Sequence, residues 1–507
     1  QDKPERNLTL RNATGKLHSS TSEVLDTLTH HMQALMAPTG HRRTGKYLPQ
    51  ERDQANRQAP WERDTLDPIK ISTPAQELQH STELLHIFMD RCTYLNCIRH
   101  LARNKQPGPD GIPNELLMCL PDTLHSTIHK LFTLMWITGR TPACLQNSNT
   151  LSLYKKGDPT NPANYRPIGL SNTMSKLWTS MVSTTLAHFS EYTGILSSAQ
   201  EGFRANKGTH RQLTNLLHII EDAALTNQDL YIAYFDFSSA FNMVDHDKLL
   251  CTMYDLGFPT DAIDAVRGIY HGATTHMMAN GEQGEAISIE RGTIQGDSLS
   301  PLLFLIFIEP LHRWLQAGGR GYQYGSIPQD QRDQCCTGSL GYADDTTAIT
   351  HTVQDLQIQC NKVQAFSSWA GIPLNPQKCE ITGILHKTSR SNPTCPITLQ
   401  ALLKNHITLG GAFAKYVPPT EACMYLGVKI CPTLDWKPQV THMMEKIKIR
   451  GEHILTRAKP AGATPQQCLR LIKTCLIPQI TYTMAVAPYM PADIDRMDIA
   501  IGAITKK

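Results

Sequence analysis

The positions of hydrophobic residues along the chain predict a mixture of helices and short strands. Apolar residues at helical spacing predict helices over 24–36, 81–101, 113–118, 124–137, 302–315, 353–369 and 436–485. Short apolar or alternating runs predict strands near 151–153, 230–235, 287–289, 340–349 and 424–430. The sequence contains no internal repeat, and its 507 residues are enough for roughly two to four domains with their own cores.

The polar stretches separate these predicted elements. Residues 1–80 form a polar N-terminal extension that contains the first predicted helix. Within it, the Arg-rich and Gln-rich stretch 41–67 is predicted to be a linker or mobile surface. Residues 318–338, which are rich in Gly, Gln and Asp, are predicted to be a surface loop, and the stretch 386–420 is predicted to be rich in loops.

Two adjacent carboxylates stand inside a strand pattern in the segment GYADDTTAIT, residues 341–350. Apolar positions on both sides predict two short strands joined by a turn that carries Asp344 and Asp345. Two negative charges at a tight turn between buried strands are costly unless a cation neutralises them. The pair therefore indicates a magnesium site, because Mg²⁺ favours hard oxygen ligands. For the dipeptide alone, a solvated Asp-Asp turn is the alternative.

A third carboxylate lies in the segment LYIAYFDFSSAFN, residues 230–242. The apolar residues predict a buried strand that Asp236 interrupts, and a buried carboxylate must be paired or bind a metal. Asp236 is therefore the natural third ligand beside Asp344 and Asp345. Phe241 follows small residues, so its ring is predicted either to wall the metal-bound ligand or to be an ordinary core aromatic.

Basic residues cluster on two glycine-containing loops, at 151–178 and 200–213. Arg and Lys reach phosphate oxygens, and glycine lets a backbone approach closely, so such loops suit a polyanion. Each loop alone has the alternative of an ordinary solvated surface. A further flexible segment, Gly292 through Asp297, precedes a helix and has a backbone that can pass close to a ligand.

Composition limits the classes of function. The formal net charge is +3, so a nucleic-acid surface must come from local basic clusters. The fourteen cysteines include no CxxC pair, which favours reduced thiols in an intracellular compartment. The longest apolar run, Leu302 to Ile308, is too short to span a bilayer, so no membrane partner is expected.

Taken together, these stretches resemble a reverse transcriptase, and specifically the enzymes of non-LTR (LINE-type) retrotransposons. The resemblance covers roughly residues 100–435. It is carried, in chain order, by QPGPDGIPNELL, KKGDPTNPANYRPIGL, QEGFRANKGT, FDFSSAFNMVDH, GTIQGDSLSPLLF, GYADD, GIPLNPQKCE and YLGV. Any one of these motifs is weak, whereas the full ordered set is very specific.

The resemblance implies an α+β right-hand polymerase fold. Its parts are fingers, a palm with an antiparallel sheet and a helical thumb, preceded by the N-terminal extension. The implied boundaries are 1–80 for the extension, 81–229 for the fingers, 230–435 for the palm and 436–507 for the thumb-like helical region.

The resemblance also implies roles for individual residues. Asp236, Asp344 and Asp345 match the catalytic carboxylates that hold two Mg²⁺ ions, with Mn²⁺ as a substitute, and Asp344 is expected to share both ions with Asp236. Lys378 matches the lysine proposed to protonate the leaving pyrophosphate. The implied nucleotide-binding residues are Phe241, which excludes a ribose 2′-hydroxyl, Gln295, Gly296, Arg166 and Lys155. The implied template and primer contacts are Arg204, Lys207 and the turn Tyr425, Leu426 and Gly427.

The implied activity is RNA-directed DNA polymerisation in target-primed reverse transcription, with an RNA template, a DNA primer or target, and dNTPs as partners. An intracellular location is expected, with the nucleus as the site of action. No endonuclease module is recognised, which suggests a fragment of a larger polyprotein or a degenerate copy. The alternatives are a catalytically silent nucleic-acid-binding scaffold, which has no need for buried carboxylates, and an RNA-templated RNA polymerase, against which Phe241 argues.

Overall fold

The structure is a computed structural model of the 507-residue chain. It describes residues 8–37, 59–63, 74–325, 336–386, 400, 403, 407–458 and 460–506. Parts of the predicted linker and of the two predicted loops lie outside these residues. No described helix is long and apolar enough to cross a membrane.

Every predicted helix is found, two of them divided into shorter helices, and the helices at 209–225, 246–255 and 260–270 were not predicted. In chain order they are α1 (Thr21–Met36), α2 (Pro74–Met89), α3 (Arg91–Arg99), α4 (Asn114–Met118), α5 (Asp122–Thr138), α6 (Thr173–Tyr192), α7 (Thr209–Leu225), α8 (His246–Asp255), α9 (Thr260–Tyr270), α10 (Ser300–Gln316), α11 (Val353–Ala370), α12 (Lys437–Ala458), α13 (Pro465–Leu471), α14 (Ile477–Met484) and α15 (Pro491–Thr505). The continuous helix predicted over 81–101 is divided, because Asp90 accepts a hydrogen bond from the Thr93 amide and caps α3. The stretch 436–485 is likewise several helices with a π-helical turn at Ile472–Leu476.

The strands include all those predicted. In chain order they are β1 (Leu10–Arg11), β2 (Leu17–His18), β3 (Asn147–Tyr154), β4 (Tyr165–Ser171), β5 (Leu230–Phe235), β6 (Thr274–Ala279), β7 (Glu282–Ser288), β8 (Tyr322–Gln323), β9 (Cys336–Thr337), β10 (Ser339–Tyr342), β11 (Asp345–Thr350), β12 (Glu380–Ile384), β13 (Thr408–Leu409), β14 (Ala412–Phe413), β15 (Lys415–Tyr416), β16 (Cys423–Tyr425) and β17 (Val428–Ile430). The mixture of helix and sheet agrees with the predicted class of fold.

Two compact units make up the chain, and each is assembled from separate segments. The first unit contains residues 1–198, 237–314 and 365–373, and the second contains 199–236, 315–364 and 374–507. The division into extension, fingers, palm and thumb stays a prediction.

The first unit contains a four-stranded sheet in the order β4-β3-β6-β7. Only the β3–β6 pair in this sheet is parallel. Helix α1 packs on β6 and β7 through its apolar face, where Val24, Leu28 and Met32 meet Met277 in one buried cluster. The predicted extension therefore contributes a helix to this core.

Trp61 also belongs to the core of the first unit. Its side chain is 1% exposed, and its ring lies 4.7 Å from the Trp369 ring and 6.1 Å from the Phe366 ring, measured between centroids. The prediction of a linker or mobile surface is therefore wrong for Ala59 and Trp61, which are both buried. Burial of a large aromatic side chain anchors this short segment, because about 150–250 Å² of ring surface leaves water.

The second unit contains a five-stranded sheet in the order β10-β11-β5-β12-β15. The three strands β11, β5 and β12 pair antiparallel, with β5 in the middle and every residue of β5 buried. Helix α7 contributes its apolar face to the same core as β5. Further along the chain, α12, α14 and α15 form a separate cluster around Met443, Ile480 and Met497.

Asp297 is an ionisable group buried in the first unit. Its side chain accepts a hydrogen bond from the Thr179 hydroxyl, and the residue is 7% exposed. Burial raises the pKa of Asp297 to about 6, although the Thr179 hydroxyl and the Lys176 charge act in the opposite direction. The folded protein therefore binds a proton at a pH where the unfolded chain has released it.

We predict that Asp297→Asn weakens the dependence of stability on pH. In the wild type, the contribution of the protonated Asp297 is fully present below pH about 4 and is lost as the pH rises through about 6, a change of up to about 3 kcal/mol. Asparagine does not titrate, so its melting temperature falls less between pH 4.5 and pH 7.5. Asp495→Asn, at an exposed position of α15, is the control. Parallel pH profiles for wild type and Asp297→Asn would contradict the prediction.

Candidate active site

The acidic pair lies where β10 turns into β11. Tyr342 pairs with Asp345, so a two-residue turn of Ala343 and Asp344 connects the strands. Asp345 is accordingly the first residue of β11 and not part of the turn. Ala343 has φ +56°, a left-handed conformation that costs a residue with a Cβ roughly 1–2 kcal/mol. This turn therefore needs support from its surroundings.

Asp236 directly follows the central strand of the same sheet. Sequence reasoning placed it as an interruption of the strand, whereas β5 ends at Phe235 and Asp236 is the next residue. Because Phe235 pairs with Thr346, Asp236 is brought level with Asp345 at the same end of the sheet. Its backbone is held there by a hydrogen bond from the Asn375 amide to the Asp236 carbonyl, at 2.9 Å.

The three carboxylates repel one another. The pKa of Asp345 is raised to about 6, first by desolvation and then by the negative charges of Asp344 and Asp236. The residue nevertheless remains exposed to solvent, so water screens part of this repulsion. A cation bound among these groups would relieve the rest.

The chemistry of the donors suits Mg²⁺, which prefers carboxylate oxygens. In the described part of the chain, however, no group of three or more His, Cys, Asp or Glu side chains is arranged to hold a metal ion. Asp236 has a different cationic neighbour, because the Lys378 ammonium lies 3.3 Å from its Oδ2 atom. Lys378 is 57% exposed in its side chain and is therefore accessible beside the carboxylates.

The turn between β16 and β17 follows Tyr425, the last residue of β16. Leu426 and Gly427 form the turn and both have positive φ, at +44° and +83°. The hydroxyl of Tyr482, in α14, donates a hydrogen bond of 2.6 Å to the Leu426 carbonyl. Tyr425 is only 3% exposed, so its ring is a core group. The prediction of a primer contact at this turn therefore rests on Leu426 and Gly427.

The stretch 200–213, predicted to be a loop, is helical from Thr209 onward, and its basic residues have partners within the protein. Arg204 donates to the Gln200 carbonyl at 2.9 Å. The Lys207 ammonium lies 3.6 Å from the buried Glu201 carboxylate, and the Arg211 guanidinium lies 3.2 Å from it. Only 15% of the Lys207 side chain is exposed. These charges therefore help to fix the loop, in addition to any role toward phosphate.

The first unit brings together three of the predicted nucleotide-binding residues. Phe241 accepts a hydrogen bond from the Thr293 amide through its carbonyl, and its ring stacks on Phe304 at a centroid distance of 4.4 Å. The Gln295 side chain donates to Asn242 at 3.2 Å. Gly296 has φ +106°, so glycine suits the position. The segment after β7 is thereby held beside Phe241.

Arg166 and Lys155 also belong to the first unit, at one end of the β3–β4 hairpin. Arg166 pairs with Leu153, and the Lys155 amide donates to the Asn164 carbonyl at 2.8 Å. Both side chains are exposed. This end of the hairpin therefore presents two cationic groups to solvent.

Sequence reasoning missed Gln200, which lies in the motif QEGFRANKGT that it used only for basic residues. Gln200 is fully buried and hydrogen-bonded to Ala343 in the acidic turn. A glutamine in a polar loop has no periodic signal that would identify it. Its position two residues before Gly202, in a motif otherwise chosen for charge, was the one available hint.

The reverse transcriptase (RNA-dependent DNA polymerase) family matches residues 154–430, which is more than half of the chain. The chain belongs to the reverse transcriptase family. The match includes every residue assigned above to catalysis, nucleotide binding or primer contact, from Lys155 to Gly427.

Relatives of this reverse transcriptase come from retrotransposable elements. One is the Pol polyprotein of the type-2 retrotransposable element R2DM of Drosophila melanogaster, 26% identical over 406 residues, which cover 80% of this chain and 35% of the relative. A second is the Pol polyprotein of the type-1 retrotransposable element R2 of Nasonia vitripennis, 23% identical, with 77% of this chain and 35% of the relative covered. A third is the RNA-directed DNA polymerase from the mobile element jockey of Drosophila melanogaster, 23% identical, with 77% and 40% covered.

These relatives confirm the resemblance to non-LTR retrotransposon enzymes that the motifs indicated. The reverse transcriptase chain spans 35–40% of the length of the three relatives. The other 60–65% of each relative lies outside the alignment with this chain.

We predict that Asp345→Asn stabilises the metal-free protein. Removing one of three mutually repelling carboxylates should add about 1 kcal/mol at pH 7.5 in EDTA, after allowance for solvent screening, or a rise of about 2 °C in Tm. The raised pKa of about 6 means that this gain shrinks as the pH falls below about 6 and disappears below pH about 4, where the carboxyl is protonated in the unfolded chain as well. The control is Asp498→Asn, an exposed aspartate of α15. A lower or equal Tm for Asp345→Asn in EDTA at pH 7.5 would show that repulsion is unimportant.

Proposed function

We propose that this chain is an RNA-directed DNA polymerase that extends a DNA 3′-hydroxyl along an RNA template. The observation that carries the proposal is the alignment of Asp236 with Asp345 at one end of the β5–β11 pair, with Asp344 in the adjoining turn. A fold without catalytic work at this point gains nothing from placing three carboxylates together, because their repulsion is destabilising.

In this proposal, Asp236, Asp344 and Asp345 hold two Mg²⁺ ions, for which Mn²⁺ can substitute. When bound, such ions supply activation of the primer hydroxyl and stabilisation of the leaving oxygen. The turn and the strand end fix the direction of the carboxylates. We assign Asp344 and Asp236 as the residues that would hold the ions, while Asp345 would mainly shape and charge the site.

Lys378 is the group that we assign to proton donation. Its ammonium lies 3.3 Å from the Asp236 carboxylate, and its side chain is exposed. The ammonium can therefore reach a departing pyrophosphate while it stays close to the carboxylates. A positioned acid at this place contributes to phosphoryl transfer by neutralising charge on the departing group.

Phe241 is the residue that we assign to the choice of deoxyribose. The stacking of its ring on Phe304 restricts the ring to one orientation, which a steric filter requires. Gln295 and Gly296 then lie against the incoming nucleotide and template base. The exposed cations Arg166 and Lys155 suit contacts with the triphosphate or the template.

Template and primer would be tracked by the second unit. The turn at Leu426 and Gly427 is proposed as the primer grip, and the helices α12 to α15 as the thumb. Arg204 and Lys207 are less direct candidates, because both have partners inside the protein. The corresponding assignment of the chain is extension (1–80), fingers (81–229), palm (230–435) and thumb (436–507).

The relatives are longer than this chain, which supports further modules that act together with the polymerase. This chain aligns with 35–40% of the three named relatives, so we propose that an endonuclease module works with it from elsewhere in a polyprotein. Priming from a nicked genomic target would place the reaction in the nucleus.

We predict that Asp344→Asn and Asp236→Asn each reduce primer extension by at least ~10³-fold. The assay measures incorporation of dNTPs into a DNA primer on an RNA template with Mg²⁺. Asparagine keeps the size of the side chain and removes the charge that the metal needs. Asp26→Asn, at an exposed position of α1 in the extension, should extend as the wild type does. Equal extension by wild type and Asp344→Asn would exclude this site as the polymerase centre.

We predict that Phe241→Ala allows ribonucleotides to be incorporated, while dNTP extension is reduced to a smaller degree. The readout is the ratio of kcat/KM for dNTP to that for rNTP, which should fall by at least about tenfold. Phe304→Leu, which removes the ring that supports Phe241, should lower the ratio to a smaller extent. Phe413→Ala removes an exposed ring from β14 and serves as the control. An unchanged ratio for Phe241→Ala would show that another residue selects the sugar.

A further inference from the structure

A short segment of the second unit, residues 199–202, pairs with the outer edge of β10. The Gly341 amide donates to the Ala199 carbonyl at 2.8 Å, and the Glu201 amide donates to the Gly341 carbonyl at 2.9 Å. Gln200 and Gly341 thus form a parallel bridge. The bridge satisfies backbone groups of an edge strand that would otherwise be open.

The side chain of Gln200 continues this pairing into the acidic turn. Its Oε1 atom accepts hydrogen bonds from the Ala343 amide at 2.8 Å and the Gly202 amide at 2.9 Å. Its Nε2 atom donates to the Ala343 carbonyl at 3.2 Å. One amide side chain therefore binds both backbone groups of Ala343, the residue with left-handed φ.

Gly202 permits this close approach. A Cβ atom at position 202 would lie 2.5 Å from the Ala343 nitrogen and 3.2 Å from the Tyr342 carbonyl carbon. Both of these are backbone atoms of the hairpin and cannot move aside cheaply. The segment and the turn are therefore packed backbone against backbone, with no room for a side chain.

Two further groups hold the segment in place. Gln212, in α7, is fully buried and donates to the Ala199 carbonyl at 2.8 Å and the Gly341 carbonyl at 2.9 Å. On the other side of Gln200, the buried Glu201 is paired with Arg211 and Lys207. The amide of Gln200 is thus presented to Ala343 from a fixed backbone.

We propose that Gln200 is a positioning residue for the polymerase reaction, and that it acts by holding Ala343 in the left-handed conformation that orients Asp344 and Asp345. Gln200 does not touch substrate in this role. The proposal rests on the proposed function only for its catalytic consequence. The effect on the turn itself is independent of any activity.

The first test compares Gln200→Met and Gln200→Glu with Gln359→Met. Methionine removes the three side-chain hydrogen bonds described above, whereas glutamate retains the acceptor and loses the donor. Gln359 is an equally buried glutamine of α11 that donates to the Leu315 carbonyl, so its replacement is matched in burial and chemistry. We expect kcat for primer extension to fall about 10²-fold for Gln200→Met and less for Gln200→Glu, with KM for dNTP within about twofold of wild type. Gln359→Met should keep the wild-type kcat.

Rescue by glycine separates positioning from a general loss of structure. Glycine adopts positive φ without strain, so adding Ala343→Gly to Gln200→Met should restore kcat at least about tenfold relative to Gln200→Met alone. A structural defect elsewhere would not respond to this change. Failure of the rescue, or a Gln200→Met kcat equal to that of Gln359→Met, would overturn the proposal.

A second measurement does not need polymerase activity. Hydrogen exchange of the peptide that covers residues 341–345 reports the Ala343 amide, which Gln200 protects. In folded protein, we expect Gln200→Met to speed exchange of this amide at least about tenfold and Gln359→Met to leave it unchanged. Unchanged exchange in Gln200→Met would refute the role of Gln200. Faster exchange in Gln200→Met combined with an inactive wild type would instead refute the proposed polymerase function and leave the turn contact supported.

Discussion

Electrostatic repulsion at the end of the β5–β11 pair is the constraint on which the second unit depends. The pKa of Asp345 is raised first by desolvation and then by the negative charges of Asp344 and Asp236. The surrounding structure tolerates this arrangement because the sheet that carries it has a fully buried central strand. Local compensation comes from Lys378 beside Asp236. The repulsion lowers the stability of the folded protein at this site, and a bound cation would restore that stability.

The acidic hairpin and its central strand were predictable because strong periodic signals determine both. Apolar residues on either side of Asp344 and Asp345 have one sheet arrangement that buries them. The end of β5 was harder to predict, since a carboxylate that interrupts a strand and one that follows it have the same sequence pattern. Gln200 was invisible to pattern reasoning, because its amide bonds to Ala343, a residue 143 positions away.

The number of basic residues in the loops is typical of a polyanion-binding surface. That number contains no information about the carboxylates inside the protein that pair with those residues. Glu201 is 1% exposed and takes up part of the charge of Lys207 and Arg211. The same is true of Tyr425, which the resemblance implied as part of a template or primer contact although its side chain lies in the core. Burial depends on residues distant in sequence, and a local motif contains no record of them.

The position of Trp61 bears on what counts as an autonomous reverse transcriptase module. The family match begins at residue 154, yet the aromatic cluster formed by Phe366 and Trp369 is completed by a ring from residue 61. A truncation trimmed to the matched residues would leave this cluster open to water and would also remove α1 from β6 and β7. Exposed apolar surface of this kind favours aggregation with other chains over folding. The physical boundary of the first unit therefore lies well before the boundary of its recognisable motifs.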